Sequence, residues 1–241
     1  MKVTLLNHTP MPEKMTAMAA RLCYSAAKDI ATLSDSLTDE KVYSFIQKMQ
    51  ETPNHGTVWE HTLFTFGIEG VSRALSHQLV RHRIASYDQQ SQRYVNSSQF
   101  EYVIPPSIEH NIDMLSGFEE TMRTLQKVYD IMVENGIPKE DARFVLPNAC
   151  QTRLICSMNI RTLVHFFSLR LCSRAQWEIR AMANEMWKLC NEVSPVIFGK
   201  VGAACKNLGY CPEGHMSCGR YPTLKQLIDN YKENKKEGSV H

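Results

Sequence analysis

No apolar run in this 241-residue chain reaches the roughly 18 residues that a membrane-spanning helix needs. Its opening, MKVTLLNHTP, lacks the longer apolar core of a secretory signal, so a cytoplasmic protein is the expectation. Glycine and proline are not in excess, at 11 and 10, and 43% of the residues are hydrophobic. Collagen-like, low-complexity and disordered chains are thereby excluded. Charge of one sign is missing as well. The 27 basic and 25 acidic residues leave a net charge of +2, short of the excess usual in a generic nucleic-acid binder. There is no Gly-x-Gly-x-x-Gly loop, which excludes a Rossmann-type FAD site. No repeat, linker or compositional break divides the sequence, so it reads as a single domain of the α+β class.

What is present is hydrophobic periodicity. KVTLL (2–6) reads as a strand, and so does LFTFGIE (63–69), where Phe64, Phe66 and Ile68 alternate with polar or small residues. Residues 12–25 carry Met15, Met18, Ala19 and Leu22 at helical spacing. Thr38 opens another helix, with Val42, Phe45, Ile46 and Met49 on one face and Pro53 at its end. Val71, Leu75 and Leu79 place a helix over 70–80. QRYV (92–95) and FEYVIP (100–105) look like strands, stopped by Pro105 and Pro106. A long helix follows over about 107–135, with Gly136 beyond its end, and Pro138 and Pro147 bracket a short one. Residues 149–157 read as a strand, and 160–171 and 175–193 as helices. Thr223 caps a last helix. The expected architecture is a mixed or antiparallel sheet flanked by long helices.

Eight cysteines without a secretory signal favour reduced thiols. Five of them (Cys23, Cys150, Cys156, Cys172 and Cys190) sit singly among apolar residues and read as small buried hydrophobes. The other three fall with a histidine in the pattern Cys205-x5-Cys211-Pro-x2-His215-x2-Cys218. Three thiols and an imidazole can make a tetrahedral zinc site. The spacing lacks a Cys-x-x-Cys pair, and an inert or redox-labile tail without metal is the expectation.

The segment QLVRHRIASYDQQSQR (78–93) stands apart. Arg81, His82 and Arg83 offer two guanidinium groups and an imidazole at a helix end, and guanidinium suits planar anions. The polar run from Ser86 to Arg93 adds hydroxyls, amides and backbone N–H groups, the composition of a loop that wraps a phosphate or a base edge. A solvated helix end followed by a turn has the same composition. So has a nucleic-acid-binding module built on residues 73–93, with Tyr87 and Tyr94 for stacking.

Arg81-His82-Arg83, seven residues, then Ser91 resembles the Arg-His-Arg-x7-Ser motif of the flavin-dependent thymidylate synthases. A chance match is on the order of one in a thousand chains of this length. HGTVWEHTLFTF (55–66), ARFVLP (142–147), NIRTLVHFFSLR (159–170) and AQWEIR (175–180) are similar to further family elements in the expected order, over about residues 1–195. The resemblance implies a catalytic domain over 1–220, ending in a Cys-rich segment at 202–220, and a helix and tail over 221–241. It implies reductive methylation of dUMP to dTMP with FAD, NAD(P)H and methylenetetrahydrofolate. It also implies a homotetramer with shared active sites, and no membrane or nucleic-acid partner.

By the same resemblance Arg81, His82 and Arg83 hold FAD, and Thr57, Gln89, Asn159, Arg161 and His165 match other flavin-contacting positions. His55 matches a residue near the flavin ring where folate stacks. Gln78, Ser91, Gln92, Arg93 and Arg143 match the dUMP site, to which Arg81 and Gln89 also belong. Arg170 matches the arginine that activates the uracil. A guanidinium is not a resting general base, so its role is to stabilise charge at N3. Taken alone, Arg143 reads as a surface charge and Arg170 as a favourable cation at a helix C-terminus. Gln89 stands where some members carry Glu, so a role needing a carboxylate there fails. His165 stands where some have Asn, and Asp88 where Asn is frequent. Ser91 reads as a positioning hydroxyl rather than a nucleophile. A flavoprotein reductase without methyl transfer is the remaining rival.

Overall fold

A computed structural model describes residues 1–51 and 56–237. The chain begins with β1 (Lys2–His8) and three helices, α1 (Pro12–Leu22), α2 (Ile30–Asp35) and α3 (Asp39–Glu51). A 3-10 turn (Thr57–Glu60) leads to β2 (Leu63–Ser72), α4 (Arg73–Leu79) and β3 (Ser86–Gln89). Then come α5 (Pro106–Glu109), α6 (Ile112–Glu134), α7 (Lys139–Ala142) and β4 (Gln151–Asn159). The rest is helical: α8 (Ile160–Arg170), α9 (Trp177–Val193), α10 (Pro195–Phe198), α11 (Ala204–Leu208) and α12 (Leu224–Glu237). These elements form two compact units. One comprises Met1–Leu6 and Thr65–Ser157, the other Asn7–Phe64 and the chain from Met158 onward.

The four strands make one open antiparallel sheet in the order β1-β2-β4-β3, most of it in the first unit. Alternation explains which side chains it buries. Phe66 and Ile68 on β2 and Cys156 on β4 are wholly buried, whereas Arg153 and Ile155 between the β4 positions are exposed. Each fully buried side chain of this size is worth about 1.5–3 kcal/mol. Gly67 faces the other way, where a Cβ would come within 3.3 Å of the Leu6 side chain. Gly70 has a φ of 66° and an added Cβ would lie 3.2 Å from the Met1 nitrogen, so this strand end requires glycine.

Two strands run straight into helices through side-chain caps. Ser72 accepts from the Leu75 N–H at 3.0 Å to start α4, and Asn159 accepts from the Thr162 N–H at 2.9 Å to start α8. In the second unit α1 packs on α3, α8 on α9, and α10 on both α3 and α9. Its aromatic centre sets the Phe198 ring edge-on to Phe64 and Phe167, with centroids 5.5 and 6.1 Å apart. The α12 cap is reciprocal: Thr223 Oγ1 accepts from the Gln226 N–H, and Gln226 Oε1 accepts from the Thr223 N–H. No helix among the described residues is long and apolar enough to cross a membrane.

Several expectations need correction. Residues 92–95 and 100–105 are not strands. Side chains of α6 take up their backbone instead: Gln126 accepts from the Phe100 N–H, and the Tyr129 hydroxyl from the Ser97 N–H. Only an isolated bridge between Tyr102 and Cys150 remains. The helix over 70–80 starts at Arg73, because β2 continues to Ser72. The helix over 107–135 is broken, with Asn111 capping α6. Cys23 is exposed just past the end of α1 and Cys172 is half-buried, whereas Cys150, Cys156 and Cys190 are buried. Pro53 lies outside the described residues.

Buried thiols make the fold sensitive to alkali. Cys156, opposite Tyr87 on β3, is pushed by burial from about 9 up to about 12. Between those values the unfolded thiol has lost its proton and the folded one has kept it, so stability falls as pH rises. The loss is about 1.4 kcal/mol per pH unit for such a group. Urea midpoints measured between pH 9 and 11 are expected to fall less steeply in Cys156→Ala than in the parent. Equal slopes would remove Cys156 as a source.

Candidate active site

The first unit organises the basic segment through Tyr87. Its hydroxyl lies 3.0 Å from the carbonyls of both Leu79 and His82, which closes the turn after α4. Burial pushes the Tyr87 phenol pKa well up, so it stays protonated and able to donate. The turn buries His82 and leaves Arg81 and Arg83 exposed on either side of it. Gln78, half-buried in the last turn of α4, sets its amide against the Ala74 carbonyl at 3.4 Å.

β3 then carries Gln89 to a fixed place. Gln89 Nε2 donates to Ser76 Oγ and Thr152 Oγ1, each at 3.0 Å. Beyond it Ser91 Oγ accepts from the Arg93 N–H at 3.2 Å, a local turn that presents the segment Ser91–Gln92–Arg93. Gln92 accepts from Arg73 Nη2 at 3.0 Å and lies 3.7 Å from Cys150 Sγ. Burial pulls the Arg73 pKa down and pushes that of Cys150 up. Gln90, Ser91 and Gln92 line a polar cavity of about 660 Å³ together with Gln151 and Arg153.

Arg93 and Arg143 meet at Glu140. Arg93 Nε and Nη2 both donate to Glu140 Oε2, at 2.9 and 2.7 Å, while Arg143 Nε donates to the Glu140 carbonyl at 3.0 Å. The carboxylate holds the Arg93 pKa up. Lys139 reaches the Tyr94 carbonyl at 3.3 Å. Only Arg93 engages the Glu140 carboxylate, whereas Arg143 and Lys139 donate to backbone carbonyls, so this neighbourhood carries more cationic groups than that one carboxylate neutralises.

In the second unit Asn159 caps α8 with its side-chain oxygen, and Arg161 and His165 follow at i and i+4 spacing on an exposed face. Arg161 pairs with Glu60, and a Cβ on Gly56 would lie 3.0 Å from its Cζ, so Gly56 lies close against this guanidinium. Thr57 itself is exposed at the start of the 3-10 turn. Gly56, Trp59, Arg161 and Lys200 border a cavity of about 1030 Å³. Among the described residues Trp59 is the one aromatic on its wall, where Arg161, Lys200 and Lys206 stand against Glu51. Arg170 is half-buried in the last turn of α8, and burial pulls its pKa down, although a guanidinium remains charged. It borders a third cavity, of about 350 Å³, together with Cys172, Cys205, Cys211 and Cys218. As the side chains stand, no three His, Cys, Asp or Glu groups among the described residues are gathered closely enough to hold a metal ion.

Residues 4–196 match the family described as thymidylate synthase complementing protein. The chain belongs to this family. A flavin-dependent thymidylate synthase of Geobacter sulfurreducens is 51% identical over 230 residues, covering 95% of this chain and 98% of the relative. That of Clostridium tetani is 47% identical over 242 residues, 94% of this chain and 96% of the relative. That of Pyrococcus abyssi is 41% identical over 223 residues, 88% and 89% respectively.

The thymidylate synthase complementing family match contains every site residue expected from the sequence, from His55 to Arg170, and ends before Cys205. Within the first unit the structure draws Ser91, Gln92, Arg93 and Arg143 into one neighbourhood of α7 and the cavity wall. Within the second it aligns Asn159, Arg161, His165 and Arg170 along α8. His55 lies outside the described residues. Glu140, Arg73 and Trp59 escaped the sequence reading. Arg73 was visible only as one more basic residue, and nothing local marked Glu140 as the partner of Arg93.

Proposed function

We propose that this chain is a flavin-dependent thymidylate synthase that converts dUMP to dTMP in de novo dTMP biosynthesis. FAD is its cofactor, and methylenetetrahydrofolate and NAD(P)H are its co-substrates. The observation that carries this reading is the family match over residues 4–196, which contains the Arg-His-Arg segment and the cation cluster at Arg93 and Arg143. The working chain is a homotetramer of cytoplasmic catalytic domains with active sites shared between copies. An exposed sheet face carrying Leu6 and Ile155, 53% and 46% exposed, supports such an association. The nucleic-acid reading loses ground, because Arg73, Arg93 and Arg143 all engage partners within the chain.

FAD is held by Arg81, His82, Arg83, Thr57, Gln89, Asn159, Arg161 and His165, with His55 beside the folate. When bound, flavin supplies the hydride chemistry of the reaction. The chain supplies binding, orientation and electrostatics. Arg93 and Arg143 take the 5′-phosphate of dUMP, and the Ser91–Gln92 segment adds its N–H groups. Gln78, Arg81 and Gln89 orient the nucleotide. The Ser91 hydroxyl already accepts a backbone N–H, which suits positioning and not attack on C6. Arg170 places positive charge at N3 as the pyrimidine gains electrons.

The visible spectrum of the purified protein tests this directly. Flavin bands that bleach anaerobically on addition of NADPH, at a rate that depends on dUMP, are the expected result. A colourless protein that cannot be reconstituted with FAD would overturn the reading. Bleaching that ignores dUMP would leave a reductase.

A further inference from the structure

We propose that Arg73 is a positioning residue for the nucleotide, holding the Gln92 amide so that it offers the polar cavity an N–H donor and no acceptor. The inference rests on the proposed dUMP site at Ser91, Gln92 and Arg93. Arg73 Nη2 donates to Gln92 Oε1 at 3.0 Å. A guanidinium carries donors and no acceptor, so the amide end that faces it has to be the oxygen. The nitrogen is thereby turned the other way. Gln92 Nε2 lies 3.7 Å from Cys150 Sγ, and Gln92 and Cys150 both stand on the wall of the cavity of about 660 Å³. Arg73 is not on that wall, so it acts on a bound nucleotide through Gln92.

Arg73 is itself fixed. It is the first residue of α4, and its N–H donates to the Cys150 carbonyl at 3.0 Å. The next N–H, of Ala74, donates to the Asn148 carbonyl at 3.1 Å. The start of α4 and the turn before β4 therefore hold guanidinium, amide and thiol together inside the first unit. For stability alone the arrangement is poor. Burial pulls the Arg73 pKa down, and the Arg143 charge nearby adds to that. No carboxylate among the described residues pairs with it. A half-buried cation facing a neutral amide contributes little to the fold. What it contributes is a fixed polarity at the cavity wall.

That polarity selects an oxygen. Burial keeps the Cys150 thiol protonated, and a thiol sulfur is a weak acceptor. The second N–H of Gln92 Nε2 has no protein acceptor among the described residues. An acceptor oxygen of the nucleotide fits it, either the carbonyl at C4 of uracil or a phosphate oxygen. An amino group in that place, as at C4 of cytosine, would set donor against donor and leave both unpaired. Without Arg73 the amide is free to turn over and present its own oxygen, and the selection is lost.

The test is calorimetric titration of the flavin-loaded, full-length protein with dUMP, dCMP and deoxyuridine. Arg73→Met keeps the bulk of the stem and removes the donors. It is expected to weaken dUMP binding about five- to tenfold, the worth of one neutral hydrogen bond, with a urea midpoint no lower than the parent's. A role confined to the fold would lower the midpoint and leave the ligand preferences alone. The double variant with Gln92→Met is expected to bind dUMP no worse than Gln92→Met by itself, because Arg73 acts through Gln92. A narrowed preference of Arg73→Met for dUMP over dCMP places the oxygen on the pyrimidine, and a narrowed preference over deoxyuridine places it on the phosphate. Should Arg73→Met fail to fold, Arg73→Lys takes its place: the charge stays, the planar fork is lost, and a loss of about threefold is expected. Parent-like dUMP binding in the variant used, an equal loss with all three ligands, or additive losses in the double variant would overturn the proposal. A flavin-loaded parent that binds no dUMP would instead remove the dUMP reading beneath it.

Discussion

Arg170→Ala is expected to keep its flavin and to lose dTMP formation by about a hundredfold or more, the cost of removing one preorganised charge from a developing anion. The residues proposed above to hold flavin are others: Asn159 caps α8 and Arg161 and His165 follow within it, while Arg170 ends it. Flavin content and NADPH oxidation without dUMP are therefore expected to match the parent. Burial lowers the Arg170 pKa, yet a guanidinium keeps its charge across the working range, so the role proposed for it is to stabilise charge at N3 and not to accept a proton. Arg170→Lys retains the charge without the planar fork and is expected to recover only part of the rate. Turnover of Arg170→Ala within tenfold of the parent would sink the role assigned to it.

How much of this was legible beforehand depends on where the signal is stored. The alternation of Phe64, Phe66 and Ile68 is local, and β2 appears where it was expected. The helix read over 175–193 likewise appears as α9, with Ile179, Met182 and Met186 on its buried face. β3 was missed because Ser86, Tyr87, Asp88 and Gln89 show no apolar alternation; pairing with β4 makes it a strand. The reverse error at 92–95 and 100–105 has the same origin. Aromatic and β-branched residues there suit a strand, but Gln126 and Tyr129 of α6 claim the backbone groups that a ladder would use.

The site divides along the same line. The Arg-His-Arg and Ser91 motif is contiguous and could be read directly. Its supports are not contiguous. Glu140 is 47 positions from Arg93, and Gln92 meets Cys150 across 58. Cys172 lies 33 positions before Cys205, and only the cavity wall puts them together. The division into two compact units was invisible because each unit is assembled from two stretches of chain, with no break in composition at any boundary.

Arg93→Ala is expected to raise the KM for dUMP by about 10- to 100-fold while changing kcat much less, since a charged hydrogen bond to a phosphate is worth about 1.5–3 kcal/mol. Arg143→Ala is expected to act in the same direction. Steady-state kinetics at fixed ionic strength, with deoxyuridine as a phosphate-free comparison, separates the phosphate contact from damage to the fold: deoxyuridine turnover is expected to be unaffected. An equal loss with both compounds would remove Arg93 from phosphate binding. Glu140 supplies the opposing arm. Its carboxylate accepts both Arg93 donors, so a phosphate bound at Arg93 would have to share or displace it. The pair is about half exposed on each side and therefore weak, and freeing Arg93 by Glu140→Gln is expected to lower the KM by about two- to fivefold. A rise in KM instead would show that Glu140 aims the guanidinium at the phosphate and does not compete for it.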